Sequence, residues 1–306
     1  MKIFVTGSNG QLGTELQLAL ADGHHEVLGV DINAHPHPPD PSGSAGGFTA
    51  CDITDRDQVL GAITGFRPDL IIHGAAFTAV DLCESQPATA YAVNSLATRF
   101  IADGARRVGA HVVYVSTDYV FDGSKTGPYV EWDAPAPQSV YGRSKLGGEM
   151  EIDPAWTIAR TSWVCSAYGN NMVKTVLRLA AERDEMTFVS DQIGHPTFAS
   201  DLAAKLIQLG VARVPGIHHV TNQGAVSWYE FVQDILEAGG HSRDKVRPIS
   251  TDTYLAGRPA DAPPVATRPA NSVLDNFELR SSRLGELRDF REPLAEVVAA
   301  LQATST

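Results

Sequence analysis

Cysteine is scarce in this chain. Its 306 residues hold three, Cys51, Cys83 and Cys165, far apart and without a CxxC pair. An odd number at that spacing argues against a disulfide framework and against a cysteine-ligated zinc site. Long apolar runs are also missing, none approaching the roughly 20 residues that a membrane-crossing helix needs. The opening MKIFVTGSNGQLG lacks the uninterrupted apolar segment of a secretory leader. These absences set the expectation of a cytoplasmic protein with no membrane contact. Positive charge is in deficit: 24 Lys and Arg face 36 Asp and Glu, a formal net charge of −12. That balance repels polyanions and argues against nucleic acid as a partner. Disorder is excluded by a hydrophobic content of 43% against 20% charged residues.

What is present has a clear rhythm. Lys2–Thr6 (KIFVT), Glu26–Asp31 (EVLGVD), 69–74 (DLIIHG) and 111–116 (HVVYVS) are short, nearly continuous apolar runs. Between them, 11–21 and 88–108 read as helices. Strands covered on both faces lose the in–out alternation, and parallel strands need helical crossovers. The pattern therefore predicts an α/β fold with a doubly wound parallel sheet. After about residue 167 the rhythm loosens into helices at 171–183, 199–210 and 227–238, with a Pro-rich connection at 258–270 (RPADAPPVATRPA). Two units are expected: residues 1–165 binding a dinucleotide, and 166–306 forming a smaller substrate lobe interleaved with the first. The segment 34–47 (AHPHPPDPSGSAGG) reads as an exposed loop. Its His35 and His37 lack a nearby carboxylate or cysteine partner and read as solvated, with no metal expected.

Directly after the first strand comes TGSNGQLG, leading into a helix. Gly7 permits the sharp turn, Gly10 lets a pyrophosphate approach bare backbone, and Gly13 lets helix and sheet pack closely. Unpaired N–H groups at the helix N-terminus then face the phosphates. This is the Rossmann arrangement, and the strand before and helix after are what make a glycine-rich turn credible. Asp31 closes the second strand eighteen residues after Gly13, where an acid accepts from adenosine ribose hydroxyls; a turn or helix cap is the plainer role. Asp52 and Ile53, after the third strand, either flank the adenine or serve the N-terminus of the next helix.

The run 111–116 continues into STDYVF, and YGRSK follows 25 residues after Ser116. Tyr141 and Lys145, four apart on a helix, share one face. An ammonium beside a phenol favours the phenolate, so Lys145 is expected to lower the Tyr141 pKa and make it a usable proton donor or acceptor. Ser116 or Thr117, at the carboxyl end of a parallel strand, is placed to hydrogen-bond a substrate carbonyl.

TGSNGQLG, HGAAFTAVD, STDYVF, YGRSK, RTSWV, DQIGHPT and the late TRPANS resemble, in order and over nearly the whole chain, the dTDP-4-dehydrorhamnose reductases of the extended short-chain dehydrogenase/reductase superfamily. The resemblance implies reduction by NADPH or NADH of the C4 ketone of dTDP-4-dehydro-6-deoxy-L-mannose to dTDP-L-rhamnose. It makes Tyr141 the proton donor, Lys145 the residue that tunes it and holds the nicotinamide ribose, and Thr117 the hydroxyl that orients the ketone. Gly10, Gln11 and Leu12 match cofactor-loop contacts. Ala76, Phe77 and Thr78 match a loop lining the cofactor, with Thr78 near the substrate or capping the next helix. Asp118 is similar to a contact to sugar hydroxyls, Trp163 to an aromatic wall against the hexose, and Arg268 to a diphosphate partner. His195 is read as structural.

One departure concerns assembly. Some members of that family join subunits through magnesium held by acidic side chains. Glu15 is retained here, but Ser200 follows DQIGHPTFA and cannot replace a charged ligand. Both a monomer and a homodimer fit. The same motifs also fit a 4-ketoreductase for another dTDP-deoxysugar. They fit, too, a non-catalytic dinucleotide-binding subunit similar to the methionine adenosyltransferase β subunit.

Overall fold

The computed structural model describes residues 1–21, 23–33, 47–259, 261–282 and 284–303. The segment with His35 and His37 lies outside them, apart from Gly47, which opens a strand. In chain order the main sheet is built from β1 (Lys2–Thr6), β2 (Glu26–Asp31), β3 (Gly47–Ala50), β4 (Leu70–His73), β5 (His111–Thr117), β6 (Thr157–Thr161) and the strand Gly216–His219. Their spatial order is Gly216–His219, β6, β5, β4, β1, β2, β3, and all six pairings are parallel. The order reverses at β1 and β4, which opens a crevice at the carboxyl ends of these strands.

The apolar runs form strands because both faces of the sheet are covered. Ile3 and Val5 face one way, against Leu16 of α1 (Gln11–Ala19) and, further along the chain, Leu202, Leu206 and Leu209. Phe4 faces the other way, with Ile71, Val112 and Tyr114. There they meet Val59 and Ile63 of α2 (Arg56–Phe66) and further apolar side chains on a crossover that follows β4. Asp55 caps α2 by accepting from the Asp57 and Gln58 amides, so the cap falls three residues beyond Asp52.

That crossover is expected as one helix and is instead three pieces. After α3 (Val80–Ser85) come α4 (Pro87–Tyr91), a π-helical turn at Ala92–Leu96 and α5 (Ala97–Val108). The turn coincides with Asn94, whose side chain takes the Phe77 amide at 2.8 Å and donates to Ser144 Oγ at 2.9 Å. Single π turns are the usual way to aim one residue out of helical register. Here Asn94 ties the loop after β4 to α6 (Val140–Glu149).

Later elements divide their packing. The α7 helix (Met172–Glu182) lies outside the sheet, whereas α8 (Ala199–Val211) packs on it together with α1. The α9 helix (Trp228–Ala238), α7 and the C-terminal helix Arg291–Ala303 build a separate apolar cluster around Phe198, Phe231, Ile235 and Phe290. No helix among the described residues is long and apolar enough to cross a membrane.

A buried ion pair fixes α6 to the sheet. Arg160 of β6 donates to Glu149, the last residue of α6, through Nε at 2.9 Å and Nη2 at 2.7 Å. Their side chains are only 2% and 5% exposed. Ser116 Oγ donates to the same carboxylate, so β5, β6 and α6 meet at one group. Breaking such a pair leaves an uncompensated buried charge. Glu149→Gln is therefore expected to destabilise the fold by about 3–5 kcal/mol in urea unfolding. The double change Glu149→Leu with Arg160→Met is expected to recover most of that loss, since it leaves no charge stranded.

Candidate active site

A cleft of about 630 Å³ runs along the carboxyl ends of the strands, from Gly7 and Asp31 at one end to Trp163 and Trp228 at the other. At its first end β1 turns sharply into α1. Gly7 sits at φ +68°, and a Cβ there would come 2.9 Å from Ala75 Cα. Gly13 is tighter still: a Cβ would fall within 2.6 Å of the Ser8 Cα and closer to the Gly7 carbonyl oxygen. Gly10 is the N-cap of α1 and brings no side chain to its first turn, so a phosphate can approach the helix N-terminus without obstruction. The Asp31 carboxylate accepts from the amides of Asn9 and Asn33, both at 3.1 Å, which locks the end of β2 to the glycine turn. Asp52 accepts from the Thr54 amide and hydroxyl. The arrangement fits a dinucleotide: bare backbone, a helix N-terminus and an acid at the neighbouring strand end.

At the middle of the cleft Thr117 ends β5. Its hydroxyl accepts from the Tyr119 amide at 3.2 Å and donates to Asp118 at 3.0 Å. Tyr141 and Lys145 both enter the lining from α6, with Ser139 capping the helix through the Gly142 amide. The expected coupling between them is overridden. Burial pushes the Tyr141 phenol above its ordinary value of 10.0 and the nearby Asp118 charge adds to this, against the pull of the Thr117 hydroxyl. Lys145 is pushed down by burial to about 7, with Glu149 opposing. Its Nζ donates to the Val115 carbonyl at 2.7 Å and lies 4.1 Å above the Tyr114 ring centroid. Desolvation disfavours both charged forms, so it holds the phenol protonated and draws the amine toward its neutral form.

Asp118 is fully buried, and burial raises its carboxyl from 3.8 to about 6 despite the Ser272 and Thr117 hydroxyls. Its Oδ2 has no hydrogen-bond partner. At the far end Trp163 stacks on Trp228, with ring centroids 3.7 Å apart and planes at 11°. Trp163 adopts φ +46°, a left-handed conformation that costs a bulky residue about 1–3 kcal/mol.

The cleft brings together Gly7, Gly10, Gln11, Leu12, Gly13, Asp31, Asp52, Ile53, Ala76, Phe77, Thr78, Thr117, Asp118, Tyr141, Lys145 and Trp163. Arg268 stands outside the lining. Its guanidinium donates to Asp81 Oδ2 at 2.9 Å and to the Ala266 carbonyl at 3.2 Å. Thr78 does not cap α3, whose N-cap is Ala79 without a side-chain bond. Glu15 accepts from Ser166 Oγ at 2.7 Å, and His195 is buried with its ring against Thr221 Oγ1. Sequence reasoning missed Trp228, Asp81 and Asn94. Only Trp228 had a local signal: the capping box of Ser227 and Glu230 marks it as the first residue of a helix.

A glycine-turn cleft with a Tyr–Lys helix and a hydroxyl at the strand end defines an oxidoreductase of the short-chain dehydrogenase/reductase class. Residues 1–303 match the model of the family described as RmlD substrate binding domain. The chain belongs to that family, the dTDP-4-dehydrorhamnose reductases. It is 38% identical to the dTDP-4-dehydrorhamnose reductase of Aggregatibacter actinomycetemcomitans, over 97% of this chain and 98% of that one. It is 35% identical to a probable dTDP-4,6-dihydroxy-2-methyloxan-3-one 4-ketoreductase of Streptomyces antibioticus, over 97% and 94%. The solved dTDP-4-dehydrorhamnose reductase of Bacillus anthracis, in complex with NADP, superposes with a TM-score of 0.86 at 35% identity, covering 98% of this chain and 99% of that chain.

The buried acid gives a pH test. The folded-state pKa of Asp118, about 6, lies above its ordinary 3.8. Its favourable contribution is thus complete below the lower value and is lost as pH rises through the upper one. The shift corresponds to about 3 kcal/mol. Asp118→Asn has no charge to bury. Urea unfolding near pH 8 is expected to find it more stable than wild type by up to about that amount, with the gain gone near pH 4.

Proposed function

We propose that this chain reduces the C4 ketone of dTDP-4-dehydro-6-deoxy-L-mannose to dTDP-L-rhamnose, using NADPH or NADH. The observation that carries the reading is the meeting of Thr117, Tyr141 and Lys145 in one cleft with the glycine turn, in a chain of this family. Gly7, Gly10, Gln11, Leu12 and Gly13 would hold the pyrophosphate, Asp31 the adenosine ribose, and Asp52 with Ile53 the adenine edge. Ala76, Phe77 and Thr78 would line the nicotinamide side. When bound, the dihydronicotinamide supplies the hydride for the ketone carbon.

The protein supplies the proton and the orientation. Tyr141, held protonated by burial, carries at its phenol oxygen the proton that the developing C4 alkoxide takes. Thr117 donates to the ketone oxygen by releasing Asp118, which lies 3.0 Å from its hydroxyl. Lys145, about half charged at neutral pH in the protein alone, would gain charge beside an anionic dinucleotide and so steady the phenolate left on Tyr141. Asp118 faces sugar hydroxyls through its unpartnered Oδ2. Trp163 presents an apolar face to the hexose C–H groups. Arg268 reaches the diphosphate by exchanging Asp81 for it.

Residues 1–165 act in this reading as the cofactor unit and 166–306 as the sugar-nucleotide lobe. The two interleave, because α8 and the strand Gly216–His219 return to the sheet. The three buried free thiols suit the reducing cytoplasm, and the protein works there as a monomer or homodimer. A second reading, reduction of a different dTDP-4-keto deoxysugar, is favoured by the likeness to the Streptomyces antibioticus ketoreductase.

Purified protein is expected to oxidise NADPH or NADH on addition of the dTDP-4-keto sugar, followed by absorbance. Tyr141→Phe is expected to lower kcat by about 10²–10⁴-fold. Inactivity of wild type with both dinucleotides would sink the reading. Product stereochemistry by NMR separates dTDP-L-rhamnose from the alternative sugars.

A further inference from the structure

The indole pair at the sugar end is built as a unit, although its members come from distant parts of the chain. Trp163 lies two residues beyond β6 at a positive φ of 46°, and residues 195–197 bond to it and to Ser162 before it. The Thr197 amide donates to the Trp163 carbonyl at 3.3 Å, and Ser162 Oγ donates to the His195 carbonyl at 2.7 Å. The indole then passes over Gly194. A Cβ at that position would lie 2.8 Å from Trp163 Cε2, so only glycine leaves room for the ring. Trp228 stacks on the same indole, nearly parallel at 3.7 Å.

Trp228 is placed with equal care. Ile193 and Gly194 pair antiparallel with Val226 and Ser227, which sets the start of α9 beside the same glycine. Ser227 caps that helix in a reciprocal box with Glu230, so the first helical residue has a defined position. Both indoles are half-buried and both line the cleft. A bulky residue held in the left-handed region persists only where its surroundings over-determine it, and such strain gathers at ligand clamps.

We infer that Trp228 is a positioning residue for the sugar nucleotide, stacking on one face of Trp163 so that the strained indole, whose edge abuts Gly194, presents a fixed apolar wall to the deoxyhexose ring. The inference rests on the reductase reading for the identity of the ligand. Removing Trp228 frees Trp163 to rotate and blunts recognition at this end of the cleft, while the glycine turn at the opposite end is untouched.

The test measures binding of dTDP-L-rhamnose and of NADPH by titration calorimetry, with KM and kcat for the keto sugar, on the full chain. Trp228→Ala is expected to weaken dTDP-L-rhamnose binding and raise the keto-sugar KM by about fivefold to tenfold, leaving NADPH affinity within about twofold. Trp228→Phe restores most of the loss, because a flat ring still stacks. Gly194→Ala puts a methyl 2.8 Å from the edge of the indole, and against Ser272 Oγ, and is expected to shift the ring and produce the same selective loss, so the test holds even where Trp228→Ala does not fold. Sugar-nucleotide affinity within about twofold of wild type in Trp228→Ala and Gly194→Ala overturns the inference, as does an equal loss for both ligands. Wild-type protein that binds the sugar nucleotide yet turns over neither dinucleotide refutes the reductase reading, while the binding comparison still decides this one. Wild-type protein that does not bind it overturns the inference outright.

Discussion

The ion pair between Glu149 and Arg160 is the constraint on which the geometry of the cleft depends. It joins the end of α6 to β6 in a place that water does not reach, and Ser116 brings β5 to the same carboxylate. Lys145 and Tyr141 lie about one and two turns back along that helix. Rotation or sliding of α6 would have to break a buried, bidentate contact, and that is what gives a ten-residue helix the fixed register proton transfer requires. Asn94 acts at a second point. Its displacement by the π turn lets one side chain bridge the loop after β4 and α6, so the two walls of the central cleft are referenced to each other.

Burial then sets the electrostatics. One cause, loss of water, moves three groups in the direction that neutralises each of them: Tyr141 up, Asp118 up and Lys145 down. Pairwise reasoning from the spacing of Tyr141 and Lys145 put the ammonium first. The observed contacts put desolvation first, because the amine bonds the Val115 carbonyl and lies over Tyr114. Groups drawn toward their neutral forms respond readily to the charge that ligands bring, since that charge then forms against partners already fixed in place.

The fold was legible where local chemistry dictates it. Strands covered on both faces must be continuously apolar, and Lys2–Thr6 and His111–Thr117 are. The glycine turn was legible because Gly7 and Gly13 answer to steric limits that no other residue meets. At α2 the signal was local: the capping role belongs to Asp55, with Gln58 three residues on, rather than to Asp52. What else escaped depends on contacts between distant residues. The break at Ala92–Leu96 follows from where Asn94 finds its partners, Phe77 and Ser144, both far off in the chain. The stacking of Trp163 on Trp228 required strand pairings formed by two-residue segments, too short to leave a periodic signal. Arg268 was read alone, and its pairing with Asp81 could not be seen without the fold.

The acidic balance of the chain poses the remaining physical question, because both proposed ligands carry diphosphates. Among the described residues that line the cleft, Lys145 is the one cationic side chain, and Asp31, Asp52 and Asp118 oppose it. Arg268 is held aside by Asp81. Formal side-chain charge in the cleft is thus more negative than positive. The backbone offers another attraction: a helix N-terminus concentrates unpaired N–H groups and a favourable dipole without adding formal charge. At α1, Gly13 leaves that N-terminus close to the glycine turn, since a Cβ there would collide with the Gly7 carbonyl and Ser8, and Gly10 keeps its first turn bare. A net charge of −12 accordingly predicts repulsion of polyanions yet says nothing of a pocket. Composition counts ionised side chains, and backbone amides at a helix N-terminus do not enter that count.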